Sequence, residues 1–149
     1  MTSPIEQTVA DWHRFLVGDF PGGLDELLHE DVVFLSPIVF TPQEGKELTK
    51  LYLRGAATSF GGDDAQPTGA STDTSFHYVK EVVSGDHAVL EFESTIDGTV
   101  VNGVDILTVG EDGKIVEFKV MLRPLKAIEL MHQKMRAALE VLSDQGGGE

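Results

Sequence analysis

The chain has 149 residues, no cysteine, and 11 Lys and Arg against 25 Asp and Glu, for a net charge of −14. That length suits one domain with a real core. The charge repels phosphate backbones and anionic lipid surfaces, so neither nucleic acid nor a membrane is an expected partner, and the lack of thiols excludes disulfides and thiolate chemistry.

No apolar run approaches the roughly 18 residues needed to cross a bilayer. Residues 1–7 carry neither the basic region nor the apolar core of a signal peptide, and a cytoplasmic location is expected. The five histidines, His13, His29, His77, His87 and His132, share no ligand spacing, so no metal and no other cofactor are expected.

Ser3-Pro4-Ile5-Glu6 predicts a helix start, with a serine N-cap, a proline at the first helical position and a glutamate closing a capping box. Ile5, Val9, Trp12 and Leu16 follow at helical spacing, Phe15 widens the stripe, and Gly18-Asp19 ends the helix. After the Pro21-Gly22-Gly23 turn, a short second helix is predicted over 24–29. Asp31 then opens a strand over 32–39. Pro37 cannot donate to a ladder, so this strand lies at an edge or breaks there, with Ser36 at the break. Thr41-Pro42-Gln43-Glu44 repeats the capping pattern and predicts a third helix to Ala57, with Leu48, Leu51 and Tyr52 inward and Leu53 a further candidate. The stretch 61–74, rich in Gly, Asp, Ser and Thr, reads as a loop and a candidate pocket rim.

From Ser75 the period changes to two. Strands are predicted over 75–83, 87–96, 100–109 and 114–123, with turns at Ser84-Gly85-Asp86, Asp97-Gly98 and Glu111-Asp112-Gly113. Pro124 stops the last strand. A C-terminal helix is predicted over 125–142, with Leu125, Ile128, Met131 or His132, Met135, Leu139 and Leu142 as its stripe. A single domain over 1–143 is expected, with 144–149 a disordered tail.

The strongest chemical signal lies in the strand 100–109. Alternation puts Val101, Gly103, Asp105, Leu107 and Val109 on one face and Val100, Asn102, Val104, Ile106 and Thr108 on the other. Asp105 therefore stands among apolar neighbours. A carboxylate there must find a partner, reach water in a cavity, or take up a proton. Two readings stay open: an acid/base group in a pocket, and a structural carboxylate paired with Arg123 or a backbone N–H.

Helices, a first strand and a four-strand meander make a curved α+β arrangement. Over 5–123 the chain resembles the nuclear transport factor 2-like superfamily. The pieces that carry the likeness are Gly18-Asp19 at the end of the first helix, Leu27-Leu28-His29-Glu30-Asp31-Val32-Val33-Phe34, Gly45-Lys46-Glu47, and the hairpin Asp112-Gly113-Lys114-Ile115-Val116. The ending Val120–Ala127 looks like an uncharacterised branch. The resemblance implies a cone: a curved, mainly antiparallel sheet wrapped by three N-terminal helices, with a C-terminal helix added. The superfamily includes ketosteroid isomerases, SnoaL-type polyketide cyclases, dehydratases, epoxide hydrolases and plain binding proteins.

By this resemblance, Asp105 takes the inward strand position of the isomerases' oxyanion-hole acid, which an apolar site keeps protonated. The sequence departs from each relative elsewhere. Where the isomerases place a basic Asp, the chain has Ser36-Pro37-Ile38, and their first-helix tyrosine falls near Asp11 or Trp12. The epoxide hydrolases' Arg, two residues before the strand Asp, is Gly103. Dehydratases pair a histidine with an acid, which makes His77 a candidate partner for Asp105.

The expected function is therefore a small-molecule pocket protein that performs acid/base chemistry on a hydrophobic cyclic carbonyl compound as an isomerase-, cyclase- or dehydratase-like enzyme. Asp105 and His77 are the catalytic candidates. Trp12, Ser36, Tyr52, Phe60, Phe92 and Phe118 are the candidate ligand-binding residues. The competing reading is a non-catalytic ligand-binding or protein-interaction domain. Under it Trp12, Phe34, Tyr52, Phe60, Phe92 and Phe118 are core, His77 is an ordinary strand histidine and Ser36 marks a strand break. The resemblance also implies a homodimer through the outer sheet face, which carries Glu117 and Lys119.

Overall fold

The computed structural model describes residues 3–61 and 76–147. Helix α1 (Pro4–Leu16) begins at the expected capping box: the Ser3 hydroxyl accepts from the Glu6 N–H, and the Glu6 carboxylate accepts from the Ser3 N–H. It is followed by α2 (Gly23–Leu27), β1 (Leu28–Leu35), β2 (Gln43–Glu44) and α3 (Lys46–Gly61). The second half of the chain is β3 (His77–Ser84), β4 (His87–Ile96), β5 (Thr99–Val109), β6 (Ile115–Arg123) and α4 (Leu125–Gly147). The strands form one sheet in the order β2-β1-β6-β5-β4-β3. The meander β3 to β6 is antiparallel, and β1 adds parallel to β6. This is the expected α+β cone.

The sequence reading misplaces several boundaries. The second helix stops at Leu27, and β1 starts at Leu28 and ends at Leu35, before the predicted stretch through Pro37. A ring nitrogen without a hydrogen ends the ladder there. Thr41–Glu44 is no capping box. Gln43 and Glu44 instead pair as β2 with Phe34 and Val33, so β1 is not the outermost strand. Gly45, with φ 105°, turns the chain out of the sheet; its N–H donates to the Val32 carbonyl at 2.8 Å, and α3 follows. At the other end α4 continues to Gly147, past the predicted 142 and through most of the stretch read as a tail. The loop read over 61–74 lies, Gly61 aside, outside the described residues.

The helices close over one face of the sheet, and the core divides in two. One cluster joins Ile5, Val9 and Trp12 of α1 and Leu24 and Leu27 of α2 to Leu90, Leu107 and Phe118 of the sheet. The other joins Phe92, Ile96 and Val101 to Ala127 and Met131 of α4. Along the inner face of β5, Val101 belongs to the second cluster and Leu107 and Val109 to the first. Gly103 and Asp105 lie between them. Tyr78 packs against both clusters. No helix among the described residues is long and apolar enough to cross a membrane.

Candidate functional site

Asp105 is buried, 7% exposed, on the middle of β5, opposite Leu90 of β4 and Val120 of β6. The partner it finds is Tyr78 of β3, whose hydroxyl donates to Asp105 Oδ2 at 2.7 Å. The Tyr78 hydroxyl in turn accepts from Trp12 Nε1–H of α1 at 2.9 Å. The result is a chain of donors, Trp12 to Tyr78 to Asp105, running from the first helix across the sheet to its middle.

Aromatic packing aims the two ring-bearing members, Trp12 and Tyr78. The Trp12 ring stacks on Phe15 with centroids 5.5 Å apart and meets Phe118 edge-on at 5.3 Å. The Tyr78 ring is met edge-on by Phe76 at 5.3 Å and by His13 at 5.4 Å. A bulge between Tyr78 and Lys80 resets the phase of β3. Tyr78 pairs with buried Phe92 and Glu81 with buried Leu90, so both face the helix side although they stand three positions apart. Glu81 there pairs with His13 at 2.6 Å.

The electrostatics follow from burial. Removal from water pushes the Asp105 carboxyl up to about 7, and the Tyr78 hydrogen bond pulls the other way without offsetting it. Burial, and then the neighbouring Asp105 carboxylate, hold the Tyr78 hydroxyl well above its ordinary range, so it keeps its proton. The shift brings the Asp105 carboxyl from the ordinary acidic range toward neutral pH.

Trp12 is buried and gives its N–H to Tyr78. Phe92 and Phe118 are buried in the two core clusters. Tyr52 is half-buried and stacks on Phe34 at 5.4 Å. Ser36 Oγ accepts from the Ile38 and Val39 N–H groups, closing the turn after β1. Phe60 falls in α3, and its side chain lies outside the described residues. His77 opens β3 exposed, opposite Glu93, on the face away from Asp105. Arg123 is exposed as well and donates to Asn102 Oδ1 at 3.3 Å rather than to Asp105. Among the described residues no group of three or more His, Cys, Asp or Glu is placed to hold a metal ion.

Tyr78 is the residue that sequence reasoning missed. The signal was present: in a period-two strand Tyr78 shares a face with Phe76, and a buried tyrosine needs a partner for its hydroxyl.

The SnoaL-like domain profile matches residues 9–118. No curated protein sequence matches the chain. Among solved structures, a steroid delta-isomerase from Pseudomonas aeruginosa is similar over 95% of this chain and 96% of its own, with TM-score 0.81 and 28% identity. An uncharacterised protein with a cystatin-like fold from Silicibacter pomeroyi covers 93% and is covered over 87%, with TM-score 0.74 and 25% identity. A proposed SnoaL-like polyketide cyclase from Jannaschia, with coverages of 88% and 96%, TM-score 0.62 and 16% identity, shares the fold. The chain belongs to the SnoaL-like domain family of the nuclear transport factor 2-like superfamily, whose fold serves isomerases and cyclases.

Proposed function

We propose that this protein binds a hydrophobic cyclic carbonyl compound and works on it by cofactor-independent acid/base chemistry at Asp105, in a cytoplasmic setting. The observation that carries the reading is the buried Asp105 carboxyl, held by the Tyr78 hydroxyl where two apolar clusters meet. As a carboxylate, Asp105 accepts a proton from the carbon beside a carbonyl. As an acid, it returns that proton to another position of the resulting enolate. The proton is conserved and no redox partner is needed. The likeness to a steroid delta-isomerase supports this class of reaction. Where the resemblance puts the isomerases' base, the chain has Ser36, whose Oγ closes a turn, so the chemistry rests on one carboxyl rather than two.

A thermal-shift screen of apolar cyclic ketones, enones and lactones tests the proposal. At least one compound is expected to raise the melting temperature of the wild type and not that of Asp105→Asn. If every compound leaves both proteins unmoved, the non-catalytic reading takes its place. That alternative draws on Asp105 having a side-chain partner already, as a structural carboxylate does.

We also propose that the protein forms a homodimer through its outer sheet face. On a chain of net charge −14 this face is nearly balanced: Lys80, Lys119 and Arg123 stand beside Glu44, Glu91, Glu93 and Glu117. Two copies meet there with less repulsion than elsewhere. Val100 and Met121 are exposed on it, beside a depression of about 250 Å³ lined by Val89, Val104 and Met121. Sedimentation is expected to give twice the chain mass, and Met121→Glu to shift it toward one; a wild-type monomer rejects the dimer.

A further inference from the structure

We infer that Trp12 is a positioning residue: it sets the direction of the Tyr78–Asp105 hydrogen bond, so that Asp105 takes up and releases its proton at Oδ1 alone. The inference deepens the acid/base reading of Asp105 and rests on it.

An indole N–H donates and has nothing to accept with. Trp12 is 5% exposed, and its N–H points at the Tyr78 hydroxyl oxygen, 2.9 Å away. That oxygen is thereby an acceptor, and the hydroxyl hydrogen must go elsewhere. Asp105 Oδ2 lies 2.7 Å away. If the bond ran the other way, with Asp105 donating from Oδ2, the Tyr78 oxygen would accept twice. Its own hydrogen would then need a second acceptor. Among the described residues, the phenylalanines around Tyr78, Phe76 and Phe92, offer only apolar edges and faces. The nearby titratable groups, His13 on α1 and Glu81 on β3, are engaged with each other at 2.6 Å. The strand neighbours of Asp105, Leu90 on β4 and Val120 on β6, carry no acceptor in their side chains. A buried hydroxyl without a partner is disfavoured, so Oδ2 stays an acceptor whether Asp105 is charged or neutral.

The consequence concerns ligand choice. With Oδ2 held as an acceptor, Oδ1 is the oxygen that changes character. It is a donor when Asp105 is neutral and an acceptor when Asp105 is charged. A carbonyl oxygen matches the first form and an enol or phenol hydroxyl the second. In turnover the same atom, as carboxylate, takes the proton from the carbon beside the carbonyl and, as acid, returns it to the enolate, so the proton is conserved.

The chain has a single tryptophan. Biosynthetic replacement by benzothienylalanine, which has sulfur in place of the N–H and nearly the same shape, therefore changes this position alone. Trp12→Phe is the genetic counterpart. NMR of protein carrying carboxyl-labelled Asp and ring-labelled Tyr follows Asp105 through its titration and the Tyr78 hydroxyl proton on each side of the midpoint. In the wild type that proton is expected to stay slow-exchanging and downfield on both sides. In the analogue it is expected to be retained above the Asp105 midpoint and lost below it, where Asp105 can turn donor. If it is retained on both sides with an unchanged midpoint, Trp12 only packs, and the inference falls while the acid/base reading stands. If Asp105 in the wild type titrates in the ordinary carboxylate range, the acid/base reading falls and this inference with it.

Discussion

Asp105→Asn is expected to stabilise the protein by about 4 kcal/mol at about pH 8 and to change its stability little at about pH 4. The folded protein holds the Asp105 proton up to about 7, whereas the unfolded chain releases it near 3.8. Between these values the native state binds more protons than the unfolded state, so stability falls as pH rises. The interval spans about three pH units at about 1.4 kcal/mol each. The loss is absent below the unfolded value and complete above the folded one. Urea unfolding of both proteins at several pH values isolates this contribution, because the other carboxylates are common to both. The difference between them should grow through the interval and then level off. A difference that does not vary with pH would show that Asp105 does not titrate there, and the acid/base reading would lose its basis. A buried ionisable group that costs stability at neutral pH is what a site requires and a structural pair does not.

Gly103→Ala is expected to destabilise the fold by about 3 kcal/mol, lowering the melting temperature by roughly 10 °C. An added Cβ would lie 2.5 Å from Phe92 Cζ, 2.6 Å from Leu122 Cδ2 and 2.8 Å from the Met121 carbonyl oxygen. The two side chains can shift; the carbonyl belongs to the β6 backbone. The cost is steric and comes from Phe92 and Leu122 closing over the strand between the two core clusters. Gly103→Ala combined with Leu122→Ala should not return to wild-type stability, since the carbonyl and the Phe92 ring remain. A variant that melts with the wild type would show that the sheet yields at this point. The same crowding explains why no arginine stands two residues before Asp105: the inner face there has no room for even one carbon.

Much of this protein is determined by short-range pattern. The Ser3–Glu6 capping box, the period-two strands from β3 to β6 and their Gly-bearing turns are set by residues two to four positions apart, and they form where the sequence places them. The burial of Asp105 belongs here too, because β5 alternates without a bulge from Val101 to Leu107. So does the break before Pro37, a property of one residue.

The partner of Asp105 was decided elsewhere. Tyr78 lies 27 residues before it, and Trp12 another 66 before Tyr78. Their meeting depends on the register of β3 on β4 and on where α1 docks. The bulge after Tyr78 puts Glu81 on the inner face, a reversal that strict alternation does not foresee. The same holds for β2: Thr41–Glu44 has the local signature of a helix start, but the open edge of β1 offered backbone partners, and pairing satisfied them. A local signature competes with whatever the folded chain brings alongside it. For Asp105 and Tyr78, that competition was settled by packing among strands and helices distant in sequence.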